Sequence, residues 1–151
     1  MALAARKLEE VRNRQPYIDD ARRLTLERAE AIRDASPHLW NDLGDFIEDE
    51  VRQLSAGLPS ASSLRVVRNE NKLTVYTMGS PSVTLEIVRS GRYILASCSE
   101  LRPLCPERMK PVGRYHFAVD DNLDPCFSDG VERLHPTQVA DIMLKPVFDL
   151  F

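Results

Sequence analysis

The feature that most constrains this chain is a change of hydrophobic period at Leu64. Upstream, apolar residues recur three and four apart. Trp40, Leu43, Ile47, Val51 and Leu54 make one stripe, with Leu39 and Phe46 beside it and Asp42, Asp45, Glu48, Asp49 and Glu50 on the remaining surface. That pattern predicts an amphipathic helix over 37–54 with one buried face. Downstream, the period becomes two. Leu73, Val75 and Thr77 alternate with Thr74 and Tyr76, and Val83, Leu85 and Ile87 alternate with Thr84 and Glu86. Alternation of this kind predicts half-buried strands. Strand-like runs start at Leu64, Leu73, Val83, Tyr93 and Tyr115, with a short return at Cys126-Phe127, and most are about ten residues apart with turn residues between. Short connections cannot reverse the chain into a parallel pair, so the sheet is predicted to be an antiparallel meander of four to six strands. A last helix over 136–148 carries Val139, Ile142, Met143 and Val147, with Pro136 at its start, Gln138 in the capping-box position and His135 placed to cap it. The expected fold class is therefore α+β: two layers, the sheet in one and the helices 37–54 and 136–148 on one of its faces.

The first 35 residues read differently. Segments 3–14 and 17–35 are rich in Ala, Leu, Arg and Glu, with charge pairs at helical spacing such as Glu10/Arg14, Asp19/Arg23 and Arg23/Glu27. Pro16 is expected to break or kink the run, leaving an extended helix or a helical hairpin. Ser36 and Pro37 are expected to start the next helix as N-cap and first helical residue. The apolar seam of Ile18, Ala21, Thr25 and Ile32 is thin, and Arg28 falls where an apolar residue belongs. It lacks the clean heptads of a long coiled coil, yet suits a mostly exposed helix that packs weakly on its own domain or on a second copy. The expected organisation is a helical segment, 1–35, as a candidate self-association element, then a compact domain, 36–151.

Charge is unevenly distributed. Residues 1–35 carry 8 basic and 7 acidic side chains, 36–60 carry 1 and 5, 61–118 carry 9 and 4, and 119–151 carry 2 and 7. The small net charge of −3 argues against general nucleic-acid binding. No apolar run reaches the 18 residues of a membrane span. The opening MALAARKLEEVRNR turns charged at Arg6 without the apolar core of a signal peptide. Three cysteines, an odd and small number, do not make a disulfide framework, and a cytoplasmic protein is the expectation.

Chemistry-bearing motifs are scarce. Cys98, Cys105 and Cys126 have no metal-ligand spacing, and Cys98 reads as a small core residue in a strand. Pairing of a cysteine with His116 or His135 would need proximity that no local signature announces. Asp120, Asn122 and Asp124 imitate the start of a calcium loop, but Pro125 replaces the required glycine and Val131 the closing glutamate, so a turn is expected. Phosphate-binding glycine loops and the hydrolase elbow are absent. No metal and no cofactor is expected.

The positive feature is a basic stretch. Arg102, Arg108, Lys110, Arg114 and His116 fall in or beside the segment 99–112, whose Pro103, Pro106 and Pro111 predict an irregular loop. These residues are the candidate partner- or ligand-binding set; the competing expectation is that such arginines pair with the acidic helix 37–54 or the acidic tail of the same chain. Two functions follow. The first is a non-enzymatic interaction or adaptor protein that forms homo-oligomers through its N-terminal helix. The second is a small enzyme or ligand-binding domain using the open face of the sheet and the 99–112 loop.

Overall fold

A computed structural model describes residues 2–59, 63–79, 82–101 and 108–151. Helix α1 (Ala2–Gly57) is followed by seven strands, β1 (Leu64–Arg68), β2 (Lys72–Thr77), β3 (Ser82–Ser90), β4 (Tyr93–Leu101), β5 (Arg108–Val119), β6 (Pro125–Ser128) and β7 (Arg133–Leu134), then by helix α2 (Pro136–Phe148). The strands form one sheet in sequence order, each antiparallel to the next. The expected α+β meander with helices on one face is the architecture found, with one short strand more than the range read from the sequence.

Register assigns the two faces. Val66, Val75, Leu85 and Cys98 stand in one transverse row, and Leu73, Ile87 and Ala96 in the next. These inner-face residues meet Leu39, Leu43, Ile47 and Val51 from α1 and Val139, Met143 and Val147 from α2 in one core. A one-residue slip would turn all of them to solvent, so the pattern specifies the register. Thr74, Tyr76, Thr84, Glu86, Val88, Tyr93 and Leu95 occupy the other face.

Helix α1 departs from expectation in one respect. It is a single helix of 56 residues, with Pro16 and Pro37 inside it, about 84 Å long at the standard rise. Neither proline starts a helix. Each removes one N–H, orphaning the carbonyl four residues earlier, at Arg12 and Arg33. Both prolines and both arginines are exposed, so water can meet those carbonyls. Ser36 is not an N-cap either. It is buried, and its hydroxyl donates to the Ile32 carbonyl at 2.6 Å, a back-bond along a continuing helix. Packing of the segment from Ala35 onward on the sheet outweighs the local start signal. Among the anticipated pairs, Glu10–Arg14 and Arg23–Glu27 form, whereas Asp19 accepts from Gln15 Nε2 at 3.0 Å and Arg23 also meets Asp20.

The segment expected to be an irregular loop over 99–112 is largely strand. β4 continues to Leu101 and β5 begins at Arg108, leaving 102–107 outside the described residues. Pro111 is compatible because residues 108–115 of β5 are bonded to β4 alone and lie at an edge. A bulge sits here: Gly113 faces Ala96 and Pro111 faces Ser97, with Val112 the extra residue. Gly113 is therefore a strand residue, not a turn residue. A Cβ there would stand 2.7 Å from Cε2 of Tyr115, whose ring folds back over it. Gly113→Ala is expected to cost about 1–3 kcal/mol by overpacking against this buried tyrosine. In a Tyr115→Ala background the same change should cost markedly less; urea unfolding of the double-mutant cycle measures the difference.

Helix α2 starts as its sequence indicates. The His135 ring nitrogen accepts from the Thr137 amide at 3.3 Å, and Gln138 Oε1 accepts from the His135 amide at 2.8 Å. The His135 ring also meets Phe46 of α1 edge-on, tying the cap to the core helix. His135→Ala should cost about 1 kcal/mol and His135→Asn much less, since asparagine restores the acceptor; thermal unfolding of the two variants checks the order.

Candidate functional site

The acidic and basic segments partly neutralise one another within the fold. Arg68 on β1 lies across α1, its guanidinium 2.8 Å from Asp45 and 3.5 Å from Glu48, and it donates to the Asn41 carbonyl. The hydrogen bond to Asp45, above all, raises its already high pKa further. Gly44 makes room: a Cβ there would fall 2.6 Å from that guanidinium, which explains a glycine inside a helix. Arg133 and Arg28 converge on Asp121, at 3.2 and 3.9 Å. The turn at Asp120 is satisfied internally, its Oδ1 accepting from the amides of Asn122 and Asp124 at 2.8 and 2.9 Å. Its carboxylate caps a turn, as the sequence suggested. Asp129 does the same for Val131 and Glu132, and those backbone donors, Glu132 first, hold its carboxyl below the usual range.

The structure does not gather the anticipated basic set at one place. Arg102 and Cys105 lie outside the described residues, as does the side chain of Arg108. Lys110 stands opposite Cys98, in an inner-face row of the sheet. Arg114 and His116 stand opposite Leu95 and Tyr93 on the outer face. There they share one aromatic: the Arg114 guanidinium lies 4.2 Å above the Tyr93 ring, and His116 meets that ring edge-on at 6.0 Å. The bulge at Val112 separates the Lys110 end of β5 from the Arg114 end.

A second group of basic residues, of which His116 alone figured in the sequence reading, lies elsewhere. Where α1 leaves the sheet, a cleft of about 560 Å³ opens between the helix and the β3–β4 turn. Arg33 of α1, Arg89 and Arg92 flanking the turn, and His116 of β5 line it, together with Glu30 and the apolar Leu26, Ile32 and Phe117. Arg89 and Arg92 stand on either side of the Ser90-Gly91 turn and were the unread signal. Nothing in the sequence says that residue 33 meets residues 89 and 116.

The thiols are poorly suited to nucleophilic work. Cys98 and Cys126 are free, and burial, the first cause for both, pushes each thiol above its ordinary pKa. Among the described residues no group of three or more His, Cys, Asp or Glu side chains is placed to hold a metal ion. No described helix is long and apolar enough to cross a membrane.

The most unusual surface is the free part of α1. Up to Glu30 every described residue but the half-buried Glu10 is exposed. Large apolar side chains lie along it, among them Leu8, Val11, Ile18, Leu24 and Leu26. Ala4, Leu8, Val11, Ile18, Thr25, Ala29 and Ile32 fall at alternating three- and four-residue steps, interrupted by Gln15 and Arg22. The row continues into Leu39 and Leu43 of the core, so the stripe that binds the sheet also runs out along the projecting helix. Compared with protein-family models, with curated proteins and with solved structures, the chain matches none.

Proposed function

We propose that this chain is a non-enzymatic interaction module that self-associates through residues 2–30 of α1. One observation carries the reading: a projecting helical segment, exposed along its length up to Glu30 and held to the rest of the chain near that end by Arg28 on Asp120 and Asp121, bears a stripe continuous with the core stripe. Most helical stability in proteins comes from burying such a face, and this segment leaves its face exposed. A second copy supplies an identical stripe. Charge favours an antiparallel pair, because residues 2–14 carry four basic and two acidic side chains while 17–30 carry three and four. Antiparallel pairing sets the basic end of each helix against the acidic end of the other and keeps the two sheet domains apart. The free thiols of Cys98 and Cys126 suit a reducing compartment, and we place the protein in the cytoplasm on that ground.

Analytical ultracentrifugation of the full chain tests this. The wild type should sediment as a concentration-dependent dimer. The triple variant Leu8→Asp, Val11→Asp, Ile18→Asp should sediment as a monomer with its sheet domain intact. A wild type that stays monomeric at millimolar concentration overturns the reading.

A further inference from the structure

We propose that the cleft between α1 and the β3–β4 turn is a binding site for a small organic anion, an oxyanion head on an apolar body. The site lies where α1 meets the sheet and needs no second copy.

Three observations support it. The first is charge. Arg33, Arg89 and Arg92 line the cleft beside one carboxylate, Glu30, while the His116 ring turns to Tyr93 on the outer face. Arginine's planar fork suits carboxylate and phosphate oxygens. Arg68, Arg133 and Arg28 are each held by carboxylates of the chain; among the described residues, Arg33, Arg89 and Arg92 have none within ion-pair distance. Arg89 is the telling one. It is half-buried, its guanidinium lies 5.6 Å from the centre of the Phe117 ring, and its N–H groups meet no acceptor among the described residues. Its donors reach solvent and are open to an incoming oxyanion.

The second observation is the wall. Leu26, Ala29, Ile32 and Phe117 give the cleft an apolar side, and its size falls in the ordinary range for small-ligand sites. A bare inorganic ion would leave that wall wet, whereas an aromatic or short aliphatic body would cover it. The third is rigidity. The Arg89 amide is fixed to the Asn71 carbonyl at 2.8 Å, and the Arg92 carbonyl accepts from the Phe117 amide at 3.0 Å. The turn that carries two of the arginines is thus bonded to β5 and to the preceding hairpin, so its arms start from a fixed frame.

Titration of the ¹⁵N-labelled full chain with phenyl phosphate and, separately, benzoate tests the proposal. At least one anion should give saturable amide shifts at Gly91, Arg92, His116 and Phe117; the tighter of the two identifies the head group. Benzyl alcohol, neutral and of similar body, should give none. Arg89→Gln and Arg92→Gln should each weaken binding about tenfold, while Arg22→Gln, on the free part of α1, should leave it unchanged. The spectra themselves report whether each variant is folded. Absence of saturable shifts with both anions, an equal response to benzyl alcohol, shifts confined to residues elsewhere, or undiminished binding in both arginine variants would each overturn it.

Discussion

Phe127→Ala is expected to lower the stability of the fold by about 3–5 kcal/mol, a large part of what a domain of this size possesses. Phe127 is fully buried in β6, and its ring lies 5.5 Å from that of Phe117, its register partner on β5. It is also the partner of Leu134 on β7, so one ring holds together the last three strands, two of which are very short. Short strands bring few ladder bonds, and their position depends on side-chain burial. Removing the ring leaves a cavity under Phe117, the residue that also floors the basic cleft and carries Arg89. Urea unfolding should show a lower midpoint, with Phe127→Leu losing far less because most of the volume remains. Comparable midpoints for the two variants would mean that the terminal strands do not depend on this ring.

The second large effect concerns helix content. Residues 2–30 make up about two fifths of the helical residues described, and all but the half-buried Glu10 are exposed. If pairing with a second copy holds them helical, the triple variant Leu8→Asp, Val11→Asp, Ile18→Asp should lose up to about two fifths of the ellipticity at 222 nm. Dilution of the wild type through its dissociation range should have the same effect. The thermal transition of the sheet domain should persist, since the core contributed by α1 begins near Ile32 and Ala35. Helicity that stays at the wild-type level in the variant and on dilution would show that the exposed helix stands by its own i,i+4 charge pairs, leaving the stripe without its assigned role.

Much of the fold was legible because burial writes a period into sequence. The alternation through Leu73, Val75, Val83, Leu85 and Ile87 is the row structure of the inner face, and the stripe from Leu39 to Val51 is the face of α1 that covers it. The His135-Pro136 start of α2 and the Asp120 turn were readable for a similar reason: their hydrogen bonds close within four residues, so the sequence holds both partners. The errors have a common origin. Pro16 is a local break signal and Ser36-Pro37 a local start signal, both overridden by a continuous helix, and Pro111 and Gly113 are local breakers accommodated by an edge strand and a bulge. For Pro37, Pro111 and Gly113 a neighbour distant in sequence supplies what the local rule lacks: the sheet under α1 in the first case and β4 beside β5 in the others.

The candidate sites divide along the same line. The free helix was foreseen from its thin stripe, because amphipathicity is a local property. The basic stretch of 102–116 was foreseen as one cluster, yet alternation and the bulge direct Lys110 and Arg114 to opposite faces. Of the cleft's basic residues His116 was foreseen and Arg33, Arg89 and Arg92 were not, since α1 and the β3–β4 turn meet only in the fold. By itself, then, the sequence determined the α+β class, the antiparallel order, the core faces and the projecting helix, all of which follow from periodicity and short connections. The tertiary structure alone decided which arginines are neutralised and which are not. Arg68 meets Asp45 and Glu48 because β1 runs beneath α1, while Arg89 meets only an aromatic ring because the sheet ends where the helix departs. Charge pairing depends on distances of a few ångströms between residues far apart in the chain, and no local pattern encodes those distances.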